Sequence, residues 1–289
     1  MLMRVVLAEY AGFCYGVRRA LDTVLEVSEN SRKPMFTLGP LIHNPQVIEK
    51  LESQGIKSVK DIDEIPPDSI VVMPSHGVPR PVMQAARESN LEIIDLTCPF
   101  VSKVHRHAES LKDQGYQVIV LGDKGHTELR GIMSVAGDDA ISIADVDELS
   151  QYELKNKIGV VAQTTQTIDR YQRLVAEVSK AAYEVRAYNT ICHATIDRQK
   201  AAIVAADSVD VMIVVGGRNS ANTRRLAEIC ANEGVPAYHV EVADEIDAAW
   251  FDGKAAAGVT AGASTPDWII QKVVELVESI LISNPENCI

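Results

Sequence analysis

The sequence predicts an α/β protein made of three tandem α/β units with small parallel sheets. Two observations predict it. Short runs rich in Val and Ile alternate with stretches of helical periodicity along the whole chain. Particular residue types also recur three times at the same phase of that alternation. Composition agrees with an ordinary globule: 289 residues, 46% hydrophobic and 24% charged. The net charge of −12 argues against nucleic acid or an anionic membrane as the main partner, because both require a basic footprint. No run of eighteen apolar residues offers a membrane span. The start "MLMRVVLAEYAGFCYG" lacks the apolar region and cleavage site of a signal peptide. A cytoplasmic location is expected, with the five cysteines reduced, ligating or catalytic rather than disulfide-bonded.

In chain order, "RVVLAEY" reads as a strand and "GVRRALDTVLEVSEN" as the helix after it. "MFTLG" and "IVVMPS" are strands around the helix "NPQVIEKLESQG". "PRPVMQAARESN" is helical, "LEIID" a strand and "PFVSKVHRHAESLKDQG" helical. "QVIVLG", "ISIAD" and "IGVVAQ" are strands before the helix "TQTIDRYQRLVAEVSKAAY". "YEVRAYN" is a strand and "DRQKAAIVAAD" a helix. "VMIVVGG", "AYHV" and "AAGVTAG" are strands, with the helices "NSANTRRLAEICANEG" and "TPDWIIQKVVELVESI" between and after them. The strands are short and β-branched, as buried parallel strands are, and several helices end in Gly or Asn. The tail "SNPENCI" reads as a frayed end.

Three strand-to-helix junctions carry a cysteine: "EYAGFCYG", "DLTCPF" and "NTICHAT", with Cys14, Cys98 and Cys192 spaced by 84 and 94 residues. Gly39, Gly122 and Gly216 mark a second set, 83 and 94 apart. His76, Thr164 and Ser264 mark a third, 88 and 100 apart. The economical division is a first unit over 14–97, a second over 98–191, and a third over 192–283 completed by the N-terminal strand 1–13, with 284–289 as tail.

Ligands of open α/β sheets bind outside the carboxyl ends of the strands. All three junction cysteines sit at such ends, each near a helix start, whose positive end attracts an anionic ligand. Packed about a pseudo-threefold axis as a trefoil, the units bring three thiols to one central point. A soft metal centre is then expected. Zinc is possible, but the close cysteine pairs of structural zinc sites are absent. An iron–sulfur cubane on three cysteines leaves one iron open, a position where a substrate oxygen can bind. Singly, each cysteine reads as a small buried hydrophobe; Cys230, within a helix, and Cys288, in the tail, keep that reading.

His43, His76, His126, Thr164, Thr165, Ser220, Asn222, Ser264 and Thr265 fall at junctions of the same kind. Histidines, hydroxyls, an amide and helix N-termini together suit phosphate oxygens. Glu128 is the acid near this set. It fits a helix first turn by capping alone, and it also fits a proton donor for cleavage of a C–O bond. Thr164 or Thr165 can relay that proton. His105 and His107 read as surface, His239 as structural, and His193 as either.

The motifs "GFCYGVRRAL", "HNPQVIEKL", "SHGVP", "DLTCPFVSKVH", "GHTELRG", "QTTQ", "NTICHATIDRQ", "NSANTRRL" and "GVTAGASTPDW" together resemble the 4-hydroxy-3-methylbut-2-enyl diphosphate reductase family, over about residues 4 to 275. The resemblance implies a three-lobed fold around a [4Fe-4S] cluster. The implied reaction is two-electron removal of an allylic hydroxyl, giving isopentenyl and dimethylallyl diphosphates plus water. It implies a ferredoxin or flavodoxin as donor, delivering electrons singly. By position it implies Cys14, Cys98 and Cys192 as cluster ligands and Glu128 as proton source with Thr164 beside it. It implies His43, His76, His126, Ser220, Asn222 and Ser264 as diphosphate contacts. Ala221 stands where some members have a second serine, so one hydrogen bond is missing or a backbone N–H replaces it. Other readings are a cluster dehydratase of the quinolinate-synthase kind, an iron–sulfur sensor and a zinc-stabilised module. Arg18, Arg19, Arg198 and Lys200 are candidates for donor docking, with solvated surface as the alternative.

Overall fold

A computed structural model describes residues 4–283; the tail 284–289, with Cys288, lies outside the described residues. The chain opens with β1 (Arg4–Leu7), α1 (Tyr15–Asn30), β2 (Met35–Leu38), α2 (Pro45–Ser53), β3 (Lys57–Val59), β4 (Ile70–Met73), α3 (Arg80–Glu88) and β5 (Glu92–Asp95). Next come α4 (Pro99–Asp113), β6 (Gln117–Leu121), α5 (Thr127–Ala136), β7 (Ile141–Ile143), β8 (Lys157–Ala162), α6 (Ile168–Ala181) and β9 (Glu184–Ala187). The remainder is α7 (His193–Ala206), β10 (Val211–Val215), α8 (Ala221–Asn232), β11 (Ala237–Val240), β12 (Ala256–Ala261) and α9 (Asp267–Ser283).

The strands form three four-stranded sheets, parallel throughout, in the orders β3-β2-β4-β5, β7-β6-β8-β9 and β11-β10-β12-β1. The same order appears three times. In the last sheet the fourth place is taken by the first strand of the chain, Arg4 pairing opposite Ala256 and Leu7 opposite Val259. The expected α/β class with three small parallel sheets is what the chain forms.

The chain divides into two compact units. The larger comprises Gly16–Ile42 and Ile48–Cys192 and holds two of the sheets; the smaller comprises Met1–Tyr15, His43–Val47 and His193–Ile289 and holds the third. In the smaller unit, Val211, Ile213 and Val215 of β10 pack with Val273 and Val277 of α9 on one face. The alternate residues Met212 and Val214 pack with Ala202, Leu226 and Cys230 on the other. A strand covered on both faces reads as a continuous apolar run, which is why "VMIVV" shows no alternation. Burying each such side chain stabilises by about 1.5–3 kcal/mol. In the larger unit β4 and β6 are buried along their whole length in the same way.

Three elements depart from the expectation. The short edge strand β3 gave no signal over its three residues. α5 is a full helix over a stretch in which only a first turn was expected. α7 starts at His193, ahead of "DRQK".

Backbone hydrogen bonds fix the phase of the repeat. Gly39, Gly122 and Gly216 each donate an N–H to the carbonyl at the end of the neighbouring strand, at 2.7, 2.8 and 2.9 Å. The turns after β4, β8 and β12 close with Gly77 to Pro74, Gln166 to Gln163 and Thr265 to Gly262. These bonds make Thr165, not Thr164, the equivalent of His76 and Ser264. The doubled threonine in "QTTQ" hid this one-residue shift.

Candidate functional site

Each junction cysteine follows the fourth strand of a sheet and immediately precedes a helix. Cys98 is the N-cap of α4, and Pro99 in the first turn has no N–H to leave unpaired. Cys14 precedes Tyr15 at the start of α1, and Cys192 precedes His193 at the start of α7. Each cysteine N–H donates to a carbonyl in the turn after the third strand: Cys14 to Ala263 at 3.1 Å, Cys98 to Ser75 at 2.9 Å and Cys192 to Thr164 at 3.0 Å. None of the three is in a disulfide, and all are half-buried, whereas Cys230, also outside any disulfide, is buried.

Within the larger unit these anchors run into one polar chain. Thr164, whose carbonyl holds Cys192, donates its own N–H to Glu128 Oε1 at 2.8 Å and its hydroxyl to Oε2 at 2.9 Å. Glu128 N–H donates to His126 Nδ1 at 3.1 Å, so the N-cap of α5 is a histidine ring. That bond leaves the ring proton on Nε2. The His126 ring meets His76 edge-on, centroids 6.5 Å apart, and His76 follows Ser75, the anchor of Cys98. Glu128 is buried, and desolvation pushes its carboxyl up to about 7 against the pull of the two Thr164 hydrogen bonds. Thr165 is half-buried, and its Oγ1, itself shielded from solvent, has no hydrogen-bond partner among the described residues.

Within the smaller unit a second cluster gathers on the turn at 262–265. Ser264 donates its hydroxyl to the His43 carbonyl at 3.2 Å. A Cβ on Gly217 would stand 2.6 Å from that same carbonyl oxygen, so only glycine lets the loop before α8 lie there. Ser220 caps α8, accepting from Thr223 N–H at 3.3 Å. Asn222 is buried, and neither Nδ2 nor Oδ1 finds a hydrogen-bond partner among the described residues. Ala221 is buried in the first turn and brings only a methyl group and its N–H. His43 is held neutral: burial first, then the nearby Arg224, pushes it down to about 4. Thr265 turns inward, donating its hydroxyl to the Val215 carbonyl at 2.9 Å.

Other expectations are corrected. His105 is not a surface residue; its Nε2 is buried, and a Cβ on Gly131 of α5 would come within 3.0 Å of it. His107 stacks on Tyr188 at 4.1 Å between centroids. Arg198 is buried, its guanidinium donating to the carbonyls of Gly12 at 2.6 Å and Ala194 at 2.8 Å. Arg19 holds the carbonyls of Leu96 and Thr97 at 3.0 Å each. Neither arginine is free to meet a donor. His239 is structural, bonded through Nε2 to the Gly216 carbonyl at 2.8 Å, and His193 is exposed. No helix among the described residues is long and apolar enough to cross a membrane.

Among the described residues, no three His, Cys, Asp or Glu side chains form a group that holds a metal ion. A cubane does not require such a point, because each thiolate binds its own iron corner. The observation that fits a cubane is chemical: three cysteines outside any disulfide, at equivalent junctions, each with its backbone pinned by an equivalent hydrogen bond.

A family model described as LytB protein matches residues 5–278. The chain is 48% identical over 278 residues to a 4-hydroxy-3-methylbut-2-enyl diphosphate reductase of Pelobacter propionicus, covering 96% of this chain and 99% of the other. It is 47% identical to the protein of that name in Trichlorobacter lovleyi, covering 96% and 99%. Among solved structures, one of (E)-4-hydroxy-3-methyl-but-2-enyl diphosphate reductase, described as the terminal enzyme of the non-mevalonate pathway, matches at 37% identity with a TM-score of 0.68, over 96% of this chain and 100% of that one. The structure of the E-1-hydroxy-2-methyl-but-2-enyl-4-diphosphate reductase from Plasmodium falciparum matches at 28% identity with a TM-score of 0.92, over 99% and 90%.

Proposed function

The chain belongs to the LytB protein family and is a 4-hydroxy-3-methylbut-2-enyl diphosphate reductase, and from that premise we propose how its own residues carry the reaction. The allylic diphosphate takes up two electrons and two protons, loses its hydroxyl as water, and leaves as isopentenyl or dimethylallyl diphosphate. Cys14, Cys98 and Cys192 would hold a [4Fe-4S] cluster, which when bound supplies single electrons and a Lewis-acidic iron.

The chain's residues do the rest. His43, His76, His126, Thr165, Ser220, Asn222 and Ser264 bind the diphosphate. The N–H of Ala221, one of the orphan donors of the first turn of α8, stands in for a side-chain hydroxyl. His126 points Nε2–H at the anion because Nδ1 is committed to Glu128 N–H. Glu128 protonates the departing hydroxyl, directly or by handing its proton to Thr164 Oγ1, which rotates to pass on its own. The observation that carries this reading is the buried Glu128–Thr164 pair, an acid pushed up to about 7 and so able to give a proton near neutrality.

The test is anaerobic purification with iron and sulfide counting, then an assay on the allylic diphosphate with and without reductant. About four of each per chain is expected, with turnover only when reductant is present. Turnover without reductant would mark a Lewis-acid dehydratase, and zinc without sulfide would remove the cluster altogether.

A further inference from the structure

The reaction consumes electrons that the substrate does not bring, so a reduced partner must meet the chain near a cluster cysteine. A chain of net charge −12 repels an acidic partner everywhere except where the sign reverses locally. Such a place exists within the larger unit. α3 and α4 line a groove of about 530 Å³, with Arg80, Met83, Gln84 and Arg87 on one wall and Ser102, His105, Arg106 and Glu109 on the other. Each set follows the i, i+3, i+4, i+7 spacing of one helix face.

The charges of the groove are not balanced. Arg80 pairs with Glu109 across one end. Asp95, at the other end, accepts the Thr97 N–H at 2.9 Å. Arg87 and Arg106 are exposed and make no ion pair among the described residues, and neither does exposed Lys103 beside them on α4. The end of the groove that holds Thr97 and Ser102 abuts Cys98. Thr97 precedes that cysteine, and Ser102 N–H donates to its carbonyl at 3.0 Å. Phe100, 39% exposed, lies on the same turn. α4 is also held firmly in place, because the His105 ring fills the space that a side chain at Gly131 would take.

Resting on the reductase reading above, we propose that this α3–α4 groove is the docking surface for an acidic one-electron carrier protein, which delivers its electrons through the Cys98 end. Charge complementarity selects the partner, and the adjoining cysteine gives the docking its purpose.

The experiment uses the full chain with its cluster reconstituted. The double variant Arg87→Glu/Arg106→Glu is assayed with two reductants, a reduced acidic ferredoxin and reduced methyl viologen, a small cation that needs no docking surface. At low salt the KM for ferredoxin should rise about tenfold and its salt dependence should flatten, while the methyl viologen rate stays within about twofold. The milder Arg87→Gln/Arg106→Gln variant should fall between. Arg173→Glu, an exposed charge reversal on α6, should change neither rate. Binding of oxidised ferredoxin to each variant, followed by biolayer interferometry, should weaken in the same order. Equal loss with both reductants would make the arginines merely structural, and an unchanged ferredoxin KM would remove the docking site. Failure of the reductase reading has a separate signature: the unsubstituted chain would not convert the allylic diphosphate even with methyl viologen.

Discussion

Glu128 in the larger unit and Asn222 in the smaller are equally deep, at 3% and 5% exposed, yet they treat their polar atoms in opposite ways. Both oxygens of Glu128 are satisfied, by the N–H and the hydroxyl of one threonine thirty-six residues away. Both polar atoms of Asn222 are unsatisfied among the described residues. A buried group without a partner costs about 1–3 kcal/mol, so such groups persist where something outside the fold completes them. The comparison teaches a division of labour. In the function proposed above, the satisfied acid is the group that reacts, and its hydrogen bonds and burial fix its position and proton affinity before substrate arrives. In the same proposal, the unsatisfied amide is the group that binds, its two unpaired atoms available to the diphosphate.

The largest expected effect lies on the reacting side. Glu128→Gln keeps the shape and leaves Oε1 to accept from Thr164 N–H, but it cannot give a proton. With methyl viologen as reductant, kcat should fall by about 10²-fold or more while KM moves only a few-fold. Thermal unfolding above pH 7 should show no loss of stability, because the substitution removes a buried charge. A kcat within a few-fold of the parent would mean that the acid is a capping residue of α5 and nothing more.

The binding side should show a smaller effect with the opposite stability signature. Asn222→Leu is nearly isosteric and removes both unsatisfied atoms. KM for the allylic diphosphate should rise about tenfold or more, since hydrogen bonds to a charged ligand contribute about 1.5–3 kcal/mol each. The ligand-free chain should melt at a higher temperature than the parent. A lower melting temperature with unchanged KM would place Asn222 in the framework and erase the contrast with Glu128.

What the sequence made legible follows from the range of the forces involved. The strands were readable because burial on both faces is a local composition, as "VMIVV" shows. The cysteines were readable because one residue type returned at one phase. The step from Thr164 to Thr165 was not, since two identical neighbours give pattern no means of choosing, and only the hydrogen bond from Gln166 N–H to the Gln163 carbonyl decides. His105 was misread because what buries it is the missing side chain of Gly131, on another helix. Arg198 was misread for a similar reason: its partner, the Gly12 carbonyl, lies 186 residues away. The same kind of distance hid the anchoring of Glu128 by Thr164, although both residues had been singled out.

The finest test of the contrast is the pH dependence of stability, where the two units act against each other. Glu128 sits at about 7 folded, against an ordinary 4.5. Between those values the unfolded chain has already released its proton, so stability falls as pH rises through the window and is flat above it. His43 sits at about 4 folded, against an ordinary 6.5. Between those values the unfolded chain holds the extra proton, so stability falls as pH drops from 6.5 towards 4. From about 4.5 to 6.5 the two slopes oppose each other, and the parent protein should show little pH dependence from this pair. Glu128→Gln removes one slope and should leave stability rising with pH across that window. His43→Asn removes the other and should leave it falling. Denaturant unfolding at half-unit pH steps measures both, and parallel curves for the two variants would mean that these groups are not held in the protonation states their burial assigns.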